Sequence, residues 1–460
     1  MFTSSASARR SAGSTAVRRG SGPALAAALL GFFVITLDAL VVNVALPAIG
    51  RGFGGGMTGL QWVVDGYTLM FAALLLSSGA VSDRIGARQA FGAGLAVFVA
   101  ASAACGLASS LGVLIVARLV QGAGASVIVP ASLALIRETF PDPARRARAI
   151  SIWALGGSVG AAAGPVAGGL LSLISWRMIF FVNLPVGLVA LFLLTRTPRS
   201  PRRDAPFDWI GQGAAVLAMG SLTYGAIEAG ADGFGTARVL IALAVAVVAA
   251  VVFLVAQARG RHPMVPLPLL RSRTMVIAAA VGFALNVGFY GMVFLLSLYL
   301  QQARGLSALA TGLAFLPMTV LTAFVSPTSA WFAARFGPRM PVVAGQCLMA
   351  VGLLILCVPP AASPTWLLVL LMIPVGTGGS LAVPAVTSLL LDRVPAARAG
   401  TASGVLNTSR QIGGALAVAV FGALVADQAH FFTGLHTSLL TAALLVLAAA
   451  ATSLLLRPAP

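Results

Sequence analysis

The sequence predicts an all-α, polytopic membrane protein with two six-helix bundles and an additional central pair of helices. Composition, the spacing of apolar runs and an internal repeat predict it. Of the 460 residues, 59% are hydrophobic and 9% are charged, and the mean hydropathy is +0.99. Water-soluble domains are far less apolar than this. We therefore expect the folded chain to lie in a lipid bilayer.

Fourteen apolar runs are each long enough to cross a hydrocarbon core of about 30 Å. The first six cover residues 24–48, 60–81, 90–110, 112–136, 148–172 and 178–195. Two more cover 209–228 and 238–257, and the last six cover 274–300, 309–333, 341–359, 366–391, 399–426 and 437–456. We therefore expect a tail at 1–23, an N-terminal bundle at 24–195, a linker with two extra spans at 196–272 and a C-terminal bundle at 273–457.

An internal repeat supports the division into halves. The segment "GAGASVIVPASLAL", which begins at Gly122, recurs 254 residues later as "GTGGSLAVPAVTSL", which begins at Gly376. The offset exceeds one six-helix unit by about the length of two spans, where the extra pair is predicted. Duplicated halves that rock about a central site are typical of secondary transporters.

The formal charge of +18 is not an indication of nucleic-acid binding, because the basic residues lie at helix ends. Their positions instead indicate how the spans are oriented in the membrane. With the N-terminus inside, 23 of the 29 arginines fall in cytoplasmic segments, 4 in external segments and 2 in the membrane. This bias predicts a cell-membrane protein with both termini cytoplasmic. The chain has no lysine, hence no Walker A lysine for ATP hydrolysis, and its three cysteines lack metal-ligand spacing. No cofactor and no metal are expected.

The segment "GAVSDRIGARQ" between the second and third spans contains a cluster of glycines and charges. Its members are Gly79, Asp83, Arg84, Gly86 and Arg88. The glycines allow a sharp turn, and the aspartate can cap a neighbouring helix N-terminus. A solvated, positively charged turn is the alternative. The segment resembles the signature loop of the major facilitator superfamily. With the helix count and the repeat added, the resemblance covers essentially the whole chain. The resemblance implies a loop that locks the outward-facing state.

Two spans carry charges that are costly in lipid. The fourth span contains "RLVQGAGASVIVP", which puts Arg118 and Gln121 one turn apart on one face and resembles the superfamily's proton-coupling motif. The first span places Asp38 in its apolar middle and resembles the fourteen-helix drug and proton antiporters of the EmrB/QacA type. Asp38 is a candidate proton carrier, substrate contact or partner for Arg118, and a structural ion pair is the alternative.

The fifth span reads "ALGGSVGAAAGPVAGG", with glycines four residues apart on one helical face. The motif residues are Gly156, Gly160, Gly164, Pro165, Gly168 and Gly169. Small residues at this spacing predict close helix packing. The ending of the run resembles the antiporter motif of drug exporters, which implies export.

Three further polar residues are predicted at intramembrane positions facing the cavity. Asp65 lies in the second span, and Asn407 and Arg410 lie on adjoining turns of a span in the second half. The segment "NTSRQIGG" around the latter two also resembles the fourteen-helix exporters. With acids and arginines both present, the sequence leaves the charge of the substrate open.

The resemblance implies a monomeric, proton-coupled antiporter that exports hydrophobic or amphipathic drugs by alternating access. Its partners would be a small-molecule substrate, protons and the lipid bilayer. Proton-coupled import of a metabolite is the alternative. A membrane enzyme would need catalytic groups clustered in the membrane, and the three histidines lie outside the middles of the spans. A sensor would ordinarily carry a soluble output domain, for which the apolar runs leave no room.

Overall fold

The computed structural model describes residues 5–54, 56–202, 206–360, 363–395 and 398–456, with side chains from residue 21 onward except Gln428. These residues form helices and no strand. The first six helices are α1 Ser5–Phe53, α2 Met57–Ile85, α3 Ala87–Gly106, α4 Leu111–Thr139, α5 Pro143–Ser172 and α6 Met178–Thr195. Then come α7 Trp209–Asp232 and α8 Ala237–Arg259. The last six are α9 Arg273–Ala303, α10 Ala308–Phe336, α11 Arg339–Ile355, α12 Thr365–Asp392, α13 Ala399–Leu424 and α14 Phe431–Ser453.

Twelve helices in the described residues are long and apolar enough to cross a membrane. The apolar α11, with 17 residues, is shorter than these twelve. The 26-residue α13 is also outside the twelve, and its first half carries many polar residues. The predicted tail at 1–23 lies partly outside the described residues, as does residue 457, the predicted end of the second bundle.

Each half is built from matching helix pairs. In the first half α1 packs along α5, and α4 packs against α2 and α3. In the second half α9 packs along α13, and α12 packs against α10 and α11. The two halves meet where α2 packs on α13 and where α5 packs on α10. Helix α7 covers the α2 and α13 junction from outside, and α8 packs mainly on α7.

The repeated glycines occupy equivalent packing positions in the two halves. A Cβ atom on Gly124 of α4 would lie 2.8 Å from the carbonyl oxygen of Gly94 in α3. A Cβ atom on Gly378 of α12 would lie 2.4 Å from the carbonyl oxygen of Gly345 in α11. Such separations are too short for a side chain, so each glycine permits a close crossing of two backbones. The sequence repeat is therefore also a repeat in three dimensions.

The halves are fastened to each other at the end of the bundle where α1 ends and α2 begins. Gln61 of α2 donates from Nε2 to the carbonyl oxygens of Val418, at 3.1 Å, and Ala419, at 2.6 Å. Gln301 of α9 donates to the carbonyl oxygen of Val44, at 2.8 Å. All three bonds lie at the same end of the molecule, so this end is closed.

Candidate functional site

Asp38 is the centre of a buried polar network inside the first half. Its side chain is 0% exposed. Its Oδ2 accepts from Nη1 of Arg118 at 2.5 Å, and its Oδ1 accepts from Gln121 at 2.9 Å and from Asn183 at 2.7 Å. Donors from α4 and α6 thus converge on one carboxylate of α1. Charge-assisted bonds of this kind are the strong ones in proteins.

Arg118 is held by more than its ion pair. It is 1% exposed, and its Nε donates to the carbonyl oxygen of Val63 at 3.0 Å. Its Nη1 also donates to Oε1 of Gln121 at 2.8 Å, and the guanidinium lies 4.4 Å from the centre of the Tyr67 ring. The arginine is therefore neutralised and enclosed. In this conformation the network is sealed within the first half and does not line an open cavity.

Two members of the network were missed by sequence reasoning. Asn183 of α6 bonds Asp38 and also donates to Oγ of Ser102 at 2.9 Å. Ser102 of α3 donates in turn to the carbonyl oxygen of Phe180 at 2.8 Å. The signal available was a single amide within the apolar run "MIFFVNLPVGLV". A polar side chain alone in such a run needs a partner from another helix.

Asp65 does not join this network. It is 0% exposed, and neither carboxylate oxygen has a hydrogen-bond partner among the described residues. It lies one helical turn after Gln61, the residue that fastens α2 to α13. Burial of an ionised carboxylate without a partner is expensive. The position is therefore suited to a carboxyl group that holds a proton.

The glycines of α5 bring its backbone against that of α1. A Cβ atom on Gly156 would lie 2.6 Å from the carbonyl oxygen of Leu29, and one on Gly160 would lie 2.5 Å from that of Phe33. Equivalent close approaches at this interface involve Gly164 with Leu40 and Gly168 with Val41. The four glycines therefore form a track along which α1 and α5 are in close contact.

The end of the glycine motif serves a different interface. A Cβ atom on Gly169 would lie 2.6 Å from the carbonyl oxygen of Ala308 in α10. Gly312 of α10 has the reciprocal position, because its Cβ atom would lie 2.2 Å from the carbonyl oxygen of Pro165. Gly169 and Pro165 thus bring the two halves together at the closed end.

The charged loop between α2 and α3 turns at one glycine. Gly86 has φ +94°, a conformation that side chains disfavour, and its N–H donates to the carbonyl oxygen of Ser82 at 3.0 Å. The Nε of Arg88 donates to the carbonyl oxygen of Leu194 at 3.0 Å. The backbone N–H of Arg88 donates to Oγ of Ser200 at 3.0 Å. These bonds join the loop to the last turn of α6 and to the segment that follows it.

The remaining predicted loop residues make fewer contacts. Gly79 has open space where a Cβ atom would lie, and Asp83 and Arg84 are exposed. The helix cap that the sequence suggested for Asp83 is not formed, because Asp83 accepts no hydrogen bond within the described part of the chain. The loop lies at the end of the bundle opposite the closed end, where α2 and α13 have no side-chain bond like that of Gln61.

Arg410 lies halfway along α13 and is half-buried. Its Nε donates to Oδ1 of Asn286 in α9 at 3.4 Å, and its Nη1 donates to Oδ1 of Asn407 at 3.2 Å. No carboxylate among the described residues is within ion-pair distance of it. The second half therefore holds an intramembrane arginine whose partners are neutral amides.

The repeat, the helix pairs and the polar residues inside the bundle agree with one known family. A model described as Major Facilitator Superfamily matches residues 28–418. The chain belongs to this superfamily. Its members are transporters, so the protein is a membrane transporter of small molecules and not an enzyme.

Relatives and a solved structure within the superfamily resemble the chain. The multidrug resistance protein Stp of Mycobacterium tuberculosis is 40% identical over 400 residues, which are 86% of this chain and 74% of that protein. The tetracenomycin C resistance and export protein of Streptomyces glaucescens is 35% identical over 412 residues, 88% of this chain and 76% of that protein. A bacterial homologue of the human lysosomal transporter Spinster, inward-facing and unoccupied, has a TM-score of 0.67 at 18% identity. That match covers 95% of this chain and 96% of the solved one.

Proposed function

We propose that this transporter is a monomeric, proton-coupled antiporter that exports hydrophobic or amphipathic drugs or antibiotics across the cytoplasmic membrane. The observation that carries the proposal is the enclosed pair of Asp38 and Arg118, 2.5 Å apart. An acid buried in the membrane beside an arginine is suited to exchange protons, because a proton changes the net charge of the site by one. Export is supported by two relatives whose names refer to resistance or export.

The proposal includes fourteen membrane spans, as in the drug and proton antiporters of the EmrB/QacA type. Helix α11 has 17 residues and a length of about 25 Å, close to the thickness of a hydrocarbon core. Helix α13 has 26 residues and a length of about 39 Å, so it is long enough to cross with a tilt. Ser409 and Arg410 of α13 donate to Ala279 and Asn286 of α9, which is compatible with a span inside a bundle. With these two helices the twelve spans become fourteen.

Protonation of Asp38 is the coupling step in this proposal. A neutral Asp38 no longer attracts Arg118, while the carbonyl oxygen of Val63 and the amide of Gln121 continue to hold the guanidinium. The neighbours of Asp38 along α1 include Val41, which contacts the glycine track of α5. A shift of α1 on protonation is thereby transmitted to α5, one of the helices that join the halves. Asp65 is a second proton-binding acid on α2.

The arginine distribution supports one orientation of the protein in the membrane. With 23 arginines assigned to cytoplasmic segments and 4 to external ones, the closed end is external and the conformation is inward-facing. Both termini are cytoplasmic in this arrangement. The exposure of Asp83 is consistent with it, since the loop is expected to cap a helix of the other half only in the outward-facing state.

Drug-dependent proton movement in proteoliposomes tests the proposal. A pH gradient is imposed, ethidium, tetraphenylphosphonium and a panel of antibiotics are added, and a pH-sensitive dye reports protons. Wild type should release protons on addition of a substrate, and Asp38→Asn should not. Asp232→Asn is the matched control, because this aspartate is in an exposed pair with Arg238 at 3.4 Å. Proton movement in the same direction as substrate would instead establish symport, and unchanged activity of Asp38→Asn would remove Asp38 from the coupling step.

A further inference from the structure

The position of Arg410 in the second half has an equivalent in the first half. The segment "WALGG", residues 153–157, corresponds to "RQIGG", residues 410–414. Structure supports this alignment, because Gly156 approaches the carbonyl oxygen of Leu29 and Gly413 approaches that of Phe283, at 2.6 and 2.3 Å from their Cβ positions. Phe283 lies 254 residues after Leu29 (283 − 29 = 254), the offset of the repeat.

The equivalent residues form an apolar pair in one half and a polar pair in the other. Trp153 stands three residues before Gly156, as Arg410 stands three before Gly413. Asn286 lies 254 residues after Phe32 (286 − 32 = 254). The rings of Phe32 and Trp153 stack 4.1 Å apart at 9°, whereas Arg410 donates to Asn286. The same crossing of helices is therefore filled by two aromatic rings in the first half and by a guanidinium and an amide in the second.

This exchange shows that the fold does not need a charge at the crossing. The aromatic pair fills it without a charge, and its one polar group, the ring N–H of Trp153, donates to Oγ of Ser132 at 3.1 Å. An intramembrane arginine without a carboxylate is costly by comparison. The second half makes room for the arginine, since a Cβ atom on Gly282 would lie 2.8 Å from Cγ of Arg410. A guanidinium has five N–H donors, of which two are bonded to Asn286 and Asn407. The other three have no partner among the described residues.

We propose that Arg410, Asn286 and Asn407 bind an anionic group of the transported compound, such as a carboxylate. A guanidinium presents paired N–H groups that match the two oxygens of a carboxylate. The ring of Tyr290 packs on the same face of α13, since a Cβ atom on Gly414, one turn after Arg410, would lie 3.4 Å from Cδ2 of Tyr290. The substrate class is therefore amphipathic organic anions, with the charge held by the second half. This assignment rests on the proposed export function and adds the chemistry of the substrate to it.

Binding to the purified full chain in nanodiscs tests the site without transport. The probes are naphthalene-2-carboxylate, anthracene-9-carboxylate and pyrene-1-butyrate, each beside its own methyl ester, with tetraphenylphosphonium as a cation. Wild type should bind at least one acid about tenfold tighter than its ester, a preference typical of a charge-assisted contact. Arg410→Lys, which keeps the charge but not the paired N–H groups, should keep part of this preference, and Arg410→Gln should lose it. Arg238→Gln, which removes a 70% exposed arginine, is the control and should match wild type.

A second variant tests the site in case Arg410→Gln does not fold. Arg410→Trp combined with Asn286→Phe copies the aromatic pair of the first half, so it should fold and bind acid and ester equally. The proposal is overturned if wild type binds acids no better than esters, or if the preference survives Arg410→Gln. If only the proposed export function is wrong, the result is different. The preference for acids over esters would persist, but no compound would move protons in proteoliposomes.

Discussion

Arg118 and Arg410 lie away from the ends of their helices, one in each half, and they have different hydrogen-bond partners. Arg118 is 1% exposed and is bonded to a carboxylate, an amide and a carbonyl oxygen. Arg410 is half-buried and is bonded to two amide oxygens. An enclosed, neutralised pair can be altered by a proton but has no room for a larger ligand. An arginine without a carboxylate can be neutralised by a ligand. This difference supports the proposal that the first half responds to protons and the second half to substrate.

Removal of Asp38 should give the largest difference between the two sites. Asp38→Leu leaves Arg118 buried and unpaired, which is expected to lower the free energy of unfolding by about 3–5 kcal/mol. Arg410→Leu should change that free energy by less than about 1 kcal/mol, because it removes no ion pair. Chemical denaturation of both purified variants measures the two values. If both variants lose the same free energy of unfolding, the two arginines do not differ in how much their surroundings stabilise the fold.

The double variant Asp38→Leu with Arg118→Leu should recover part of this loss. We expect a coupling energy of about 2–3 kcal/mol in the double-mutant cycle, since both charges of a buried pair are then absent. Recovery should be incomplete, because Gln121 and Asn183 lose the carboxylate oxygen that they share. Proton exchange should be absent in spite of the recovered stability. Simple additivity of the two single variants would mean that the pair contributes no coupling.

Glycine replacements test whether the close helix crossings at Gly156 and Gly413 are equivalent in the two halves. Gly156→Ala and Gly413→Ala each put a Cβ atom against a backbone oxygen, at 2.6 and 2.3 Å. Each should lower the free energy of unfolding by about 1–3 kcal/mol, the usual cost of overpacking. Gly220→Ala on α7 is the control, since its Cβ atom would meet nothing within 4 Å. Denaturation curves compare the three. A large loss in only one half would argue that the two crossings are not equivalent.

Sequence alone predicts the all-helical membrane fold and the repeat, because hydropathy and glycine spacing are local signals. It leaves open which partner each intramembrane charge takes. From the sequence, Asp38 is a candidate proton carrier, substrate contact or partner for Arg118, and nothing in it links Asn183 to Asp38. The match between Trp153 and Arg410 was also missed, since the repeat offset changes from 254 to 257 between α12 and α13. Such contacts depend on the packing of helices distant in sequence.

The smallest expected effect concerns the bonds between the halves. Gln61→Leu removes two hydrogen bonds to α13, at 3.1 and 2.6 Å, each worth about 0.5–1.5 kcal/mol. The carbonyl oxygens that it leaves behind belong to helical residues, so the loss should weaken closure more than folding. Distances between spin labels on the two halves at this end should therefore shift toward the separated population, while the denaturation midpoint changes little. Gln212→Leu is the control within the described residues, because Gln212 fastens α7 to Ala73 of the first half and not to α13. If Gln61→Leu leaves the label distances unchanged, closure of this end depends on its other contacts, which are the bond from Gln301 to Val44 and glycine contacts such as that of Gly169.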